Sequence, residues 1–305
     1  MKRSIALILL VLMALLCACG QANPSSGPTE PTTETETLTE EETWFDPWDE
    51  HYVSPTSDDP MAFCNLFPDP FFAWTVAGIF DKAVTDATTY EELAAYEGEI
   101  DCGTGLLKSV EGIGLLTGLT SFSSAKNHLE VLPAEIGNLV NLTEIHITKN
   151  FLRVIPPEIG KLKKLTRLFA GLTQLEALPP EIGDCESLEY LHVGNSSITS
   201  VPPEIGKLKN LRVLVLSSTG ITDLPDSICE LTNLKELYIG HTALSALPKD
   251  IGNLQNLEIL HLFGCKLTIL PKSMRQLKNL RRLNVYDNFE LDESYKKWFD
   301  KKVYS

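Results

Sequence analysis

His146, His192 and His261 stand apart from one another by multiples of 23 residues. An imidazole can ligate a metal or exchange a proton near neutral pH, so a regular register of histidines is the first candidate for chemistry. If successive 23-residue units stack as strands, His146 and His192 lie two strands, or about 10 Å, apart, too far to share an ion. No metal or other cofactor is therefore expected. The glycines of Gly112-Ile-Gly114-Leu-Leu-Thr-Gly118 have the wrong spacing for a phosphate-binding loop and read as structural. The sequence holds no nucleophile elbow, zinc-binding helix pair or spaced Cys/His cluster. Carboxylates are plentiful, but an acid–base pair needs a pocket to perturb it, and an open repeat face offers little desolvation. The reading is that the chain is not an enzyme.

What positions the histidines is a repeat. Val201-Pro-Pro-Glu-Ile-Gly-Lys-Leu-Lys-Asn-Leu211 recurs with conservative changes every 23 residues, and Pro133, Pro156, Pro179, Pro202, Pro225, Pro248 and Pro271 mark the period. In the unit Leu142 to Pro156, Ile145 and Ile147 are two apart, so on a strand both face inward while Glu144, His146 and Thr148 face out. Asn150 ends that strand, where a short polar side chain can satisfy turn backbone. Leu152 and Ile155 return to the core, and Pro156 stops further pairing. Ile159, Leu162 and Leu165 then step by three, which suits a helical or 3₁₀ return. One turn cannot bury its apolar side alone, whereas stacked copies share a continuous core.

These residues resemble the leucine-rich repeat family, in its 23-residue class with the Leu-Pro-x-x-Ile-Gly-x-Leu return, from about Leu119 to Asn288. The resemblance implies an α/β solenoid: a horseshoe with a parallel β-sheet on the concave face and short helical or 3₁₀ returns on the convex face. The strand-end slot departs from the common asparagine. It reads Asn127, Asn150, Thr173, Ser196, Thr219, Thr242, Cys265 and Asn288, with hydroxyls or a thiol through the middle. Such groups are expected still to bond the backbone there.

On this register the outward mid-strand column reads Ser123, His146, Phe169, His192, Val215, Tyr238, His261 and Asn284. The column before it reads Ser121, Glu144, Arg167, Tyr190, Val213, Glu236, Ile259 and Arg282. The column after it is small through Gly171, Gly194, Ser217 and Gly240, then ends in Phe263 and Tyr286. Folding does not require outward strand positions to be aromatic, and a contiguous stripe of aromatics with arginine marks an interaction surface. The competing reading is cross-strand packing that stabilises the sheet itself. Because the family generally binds through its concave face, Glu144, His146, Arg167, Phe169, Tyr190, His192, Val215, Glu236, Tyr238, His261, Phe263, Arg282 and Tyr286 are the candidate ligand-binding residues. Titration of the histidines would then make binding pH-sensitive.

Four other segments flank the repeats at 113–290. Met1-Lys2-Arg3 followed by the apolar run Ile5 to Leu16 suits a signal peptide and is too short to span a bilayer comfortably. Leu16-Cys17-Ala18-Cys19-Gly20 resembles the bacterial lipoprotein signal, which implies a signal peptide at 1–18, lipidation of Cys19, and membrane anchoring through several acyl chains. Residues 19–60 are rich in Pro, Ser, Thr and Glu and carry no Lys or Arg, the composition of a disordered tether. Its roughly 40 residues give a coil reach of about 35 Å. Trp44-Phe45-Asp46-Pro47-Trp48 interrupts it, as linker or as a packing or docking motif.

Residues 61–112 read as a helical N-terminal cap with an irregular first repeat. Asp69 and Pro70 suit a helix start, and Thr88 or Thr89 with Glu91 or Glu92 offers a second. After Asn288 the period breaks, and Leu291, Tyr295, Trp298 and Phe299 fall on one helical face, predicting a short C-terminal cap helix at 291–305.

Nearly all of the net charge of -15 lies before residue 113, so the repeats are close to neutral and carry no electrostatic footprint for nucleic acid. Of seven cysteines, Cys17 and Cys19 belong to the export signal, and the odd remainder argues against a complete disulfide framework. A bridge between Cys64 and Cys102, which would staple the cap, stays open. The functional expectation is a monomeric, extracytoplasmic lipid-anchored protein that recognises a protein or peptide ligand. A glycan or cell-wall adhesin is the alternative, and an enzyme with an unrecognised site ranks behind both.

Overall fold

The computed structural model describes residues 56–291. The predicted signal peptide, Cys19, most of the predicted tether with Trp44 to Trp48, and all of the predicted C-terminal helix except Leu291 lie outside the described residues. Val53–Ser305 forms one compact unit.

Nine short strands form a single parallel sheet in sequence order: β1 Glu99–Asp101, β2 Ser121–Ser123, β3 Glu144–His146, β4 Arg167–Phe169, β5 Tyr190–His192, β6 Val213–Val215, β7 Glu236–Tyr238, β8 Ile259–His261 and β9 Arg282–Asn284. From β2 onward each residue pairs with the one 23 positions later, as in Glu144 with Arg167. The first step is one residue shorter, since Glu99 pairs with Ser121, which makes the opening turn irregular.

The centre of each strand points into the core: Phe122, Ile145, Leu168, Leu191, Leu214, Leu237 and Leu260 have no exposure at all. Every repeat proline except Pro248 starts the return in extended backbone, and 3₁₀ segments such as Pro157–Lys161 and Pro203–Lys207 follow directly. Their isoleucine and glycine are buried against the neighbouring turn. A Cβ on Gly183 would meet Glu204 O at 2.4 Å, so glycine in this slot sets how closely the returns stack.

The residue before each strand-end slot is left-handed. Lys126, Lys149, Leu172, Asn195, Ser218, His241 and Asp287 have φ of 54 to 57°, and Gly264 has 66°. Each non-glycine residue held there costs about 1 kcal/mol, which the stacked turns must offset. The reversal turns the next side chain inward, where it can serve backbone groups.

At the asparagine slots it does so fully. Asn150 Nδ2 donates to Ser124 O at 2.7 Å and Ile147 O at 3.0 Å, and its Oδ1 accepts from Leu129 N at 2.9 Å. Asn288 repeats the arrangement on Leu262 O, Val285 O and Leu267 N. The hydroxyls do a third as much. Thr173, Ser196 and Thr219 each donate only to the carbonyl three residues back, and the amides of Leu152, Leu175 and Ile198 find no acceptor among the described residues. Cys265 reaches Ile239 O at 3.3 Å, replacing one of the asparagine bonds.

Three helices close the first end of the core: α1 Phe63–Leu66, α2 Pro70–Ile79 and α3 Tyr90–Ala94. Asp69 caps α2, its Oδ1 accepting from Phe71 N and Phe72 N, and Pro70 occupies the first turn. The other carboxylate oxygen accepts from Lys108 N and Ser109 N, tying the helix to the opening turn. Thr89 caps α3, but Glu92 turns away from it to Lys82 and Thr88, so the reciprocal half of the predicted box is absent. Phe63, Phe67 and Phe72 fill the junction with no exposure. Cys64 and Cys102 are both free thiols.

Candidate functional site

One face of the sheet covers the core, and the other carries the predicted columns in the predicted registers. Arg167 pairs with Tyr190, Tyr190 with Val213, and Val213 with Glu236. Beside them run Phe169, His192, Val215, Tyr238 and His261. The strands place all thirteen candidate residues on or just beyond this face, but they are not equally displayed.

The centre of the middle column is packed down. Phe169, His192 and Val215 are only 7, 4 and 6 % exposed. Phe169 is held between His146 (ring centroids 4.0 Å apart, edge-on) and Tyr190 (4.7 Å). His192 lies over Gly171, where a Cβ would come within 2.0 Å of its ring, so the small residue at 171 makes the room that the imidazole fills. Neither ring nitrogen of His192 has a hydrogen-bond partner among the described residues. Burial depresses its pKa to about 4, so it stays neutral at ordinary pH. The expected titration near neutrality therefore does not hold for His192. For these three residues cross-strand packing wins, because neighbouring rings are long enough to close over a flat strand position.

The displayed residues lie to either side. Glu144 is met by His146 Nε2 at 2.9 Å and by the Arg167 guanidinium. Burial opposes its ionisation, but those two neighbours outweigh it and hold the carboxyl below its usual range. Glu236 is different. It accepts a hydrogen bond from the Tyr238 hydroxyl at 2.7 Å, and no cation stands within ion-pair distance among the described residues. Burial, and then the bond to Glu236, push the Tyr238 hydroxyl well above the usual phenol range. Tyr190 is raised to about 12 by burial and then by the charge of Glu236.

His261 sits 5.0 Å from the Tyr238 ring, and burial with the nearby Arg282 lowers its pKa. Phe263 packs edge-on to His241 at 4.7 Å, and Tyr286 is 64 % exposed. Among the described residues no group of three His, Cys, Asp or Glu side chains converges to hold a metal ion.

One apolar surface was missed by the strand-column reasoning. Val131, Phe151 and Val154 stand exposed on the flank, with His128 stacked on Phe151 at 5.4 Å, around an open depression of about 890 Å³. The signal was present: the slot of Val131 and Val154 is Ala, Ser or Asp in the next three repeats, at Ala177, Ser200 and Asp223.

Residues 180–299 match the family model for a leucine-rich repeat region. No curated protein matches the chain. Among solved structures, an internalin C2 from Listeria monocytogenes superposes with a TM-score of 0.65 at 23% identity, over 73% of this chain and 96% of its own. The leucine-rich-repeat ectodomain of the Arabidopsis thaliana receptor kinase GASSHO1/SCHENGEN3, solved with Casparian strip integrity factor 2, gives 0.51 at 28% identity. That match covers 62% of this chain and 27% of the plant chain. A leucine-rich-repeat protein of Leptospira interrogans gives 0.46 at 26% identity, and the match covers 67% of this chain and 64% of that one. The architecture is the leucine-rich-repeat solenoid.

Proposed function

We propose that this leucine-rich-repeat protein binds a protein or peptide ligand through the open, concave face of its strands, while held outside the membrane by lipid on Cys19. The domain plan behind this is a signal peptide at 1–18, a tether at 19–60, a cap at 61–112, repeats at 113–290 and a closing cap at 291–305. The observation that carries the binding half is the open strand face itself. Tyr190, Glu236, Tyr238, His261, Arg282 and Tyr286 remain partly or largely accessible there on strands whose centres are fixed by a fully buried core. Aromatic and arginine side chains on a rigid scaffold lose little entropy on binding and are the usual anchors. The plant ectodomain was solved with a ligand bound, which fits a recognition role for the shared fold. A monomer is sufficient for this role.

Replacing Tyr190, Tyr238 and Tyr286 together by alanine should abolish capture of the natural ligand while the solenoid still folds and melts cooperatively. Unchanged capture would move the site elsewhere, with the Phe151 flank next in line. A glycan array distinguishes the second reading, sugar adhesion, because exposed Tyr286 and the partly accessible Phe263 would also suit stacking on a pyranose face. Cys19→Ala should release the protein from the membrane fraction; retention after that change would count against the lipid anchor.

A further inference from the structure

We infer that the strand face has a socket for a basic side chain, with Val213 of β6 as its floor, Tyr190 and Tyr238 as its walls and Glu236 as its charged end, so that the ligand is a polypeptide anchored by a lysine or arginine. The inference deepens the concave-face reading above and rests on it.

The socket follows from the order of side-chain lengths across three strands. On β5 stand Tyr190 and His192, on β7 Glu236 and Tyr238, and between them β6 offers only two valines. Adjacent strands are about 4.8 Å apart. Val215 is covered by its neighbours, but Val213 stays partly accessible between the longer Tyr190 and Glu236, an apolar dip one side chain wide.

Charge decides the occupant. From β2 onward the column of Val213 has two carboxylates. Glu144 is already engaged by Arg167 and His146, whereas Glu236 has only the Tyr238 hydroxyl. A half-buried carboxylate without a cation is a standing electrostatic cost, and an arriving cation recovers it. Arg282 and His261 are the other charged or titratable groups facing this end. Arg282 lies two strands from Glu236 in the same column, about 10 Å by strand spacing, and forms no ion pair with it. A lysine or arginine supplies what the site lacks: an alkyl stem for Val213, a cation for the faces of Tyr190 and Tyr238, and a donor for Glu236. An acidic ligand would meet Glu236 with like charge, and a purely apolar one would bury it unpaired.

The test pans a random dodecapeptide phage library on the full chain, then measures the enriched peptide, made synthetically, by calorimetry. Enriched peptides should share a lysine or arginine beside an aliphatic residue. Glu236→Gln should weaken binding at least tenfold. Replacing the peptide's basic residue by norleucine should cost about the same, and combining the two changes should add little further loss, the mark of a direct contact. Lys209→Ala, on the exposed returns, should leave affinity unchanged.

Peptides that need Tyr190 and Tyr238 but show no coupling between Glu236 and a basic residue would overturn the socket and leave the face reading intact. A fall in affinity with Arg282→Ala at a conserved acidic peptide residue would replace the socket with an anion site. Peptides indifferent to every substitution on this face, or no enrichment at all, would count against both.

Discussion

The hydroxyl stretch of the strand-end ladder leaves buried amides unserved, and asparagine there should stabilise the solenoid. Thr219 donates to Leu216 O at 2.7 Å, but Ile198 N, in a residue with no exposure, has no acceptor among the described residues. Asn150 in the equivalent slot accepts from the equivalent amide, Leu129 N, and keeps a bond to the carbonyl three residues back. The slot accommodates the larger side chain, since Asn150 and Asn288 are 5 and 2 % exposed. An unsatisfied buried donor costs about 1–3 kcal/mol. Ordering the asparagine side chain takes back about 1 kcal/mol, so Thr219→Asn should gain about 1 kcal/mol. For a unit of this size that raises Tm by about 2–4 °C.

The reverse change is the sharper half. Asn150→Thr strips the acceptor from Leu129 N and the donor from Ser124 O, and should lose about 2 kcal/mol. Calorimetric melts of both variants, with urea titrations to check that the transition stays cooperative, read the two signs. An Asn150→Thr protein that melts with wild type would refute the reasoning, because the amide would then have been satisfied all along by water or by local relaxation.

Three further predictions rest on named contacts. Asp69→Ala removes acceptors from four amides, Phe71, Phe72, Lys108 and Ser109, and should cost about 3 kcal/mol, with hydrogen exchange rising first in α2 and the opening turn. His192 makes the fold acid-sensitive: its pKa falls from 6.5 to about 4 on folding, so below 6.5 the unfolded chain binds the proton more readily. Stability should be complete above pH 6.5 and fall by up to about 3 kcal/mol as pH drops to 4, and His192→Phe should flatten that slope. Gly171→Ala pushes a methyl into the His192 ring and against Gly194 O at 2.8 Å. It should cost about 1–3 kcal/mol and, by lifting the imidazole toward water, raise its pKa in an NMR titration.

The period carried most of the fold. Seven prolines and the inward aliphatics set strand register from β2 onward, because a parallel solenoid has one repeating solution for burying that pattern. The helix start at Asp69-Pro70 was legible for a local reason, a cap bonding amides two and three residues on. Its second role on Lys108 and Ser109 was not, since nothing local links residues 39 and 40 apart. The columns of the candidate site were legible from period-two alternation. How far each side chain is covered depends on its lateral neighbours. The lean of His192 onto Gly171 and the closing of rings over Phe169 belong to cross-strand geometry that a single strand does not encode. The unequal partnering of Glu144 and Glu236 is likewise a matter of which neighbour stands one strand away.

Photo-crosslinking on intact cells addresses the central claim most directly, with benzoylphenylalanine placed at Tyr238 or Tyr286 on the strand face, or at Lys163 or Lys209 on the exposed returns. The account predicts one protein crosslinked from both strand-face positions and from neither return position. The same product from all four positions, or a product from the returns alone, would contradict it.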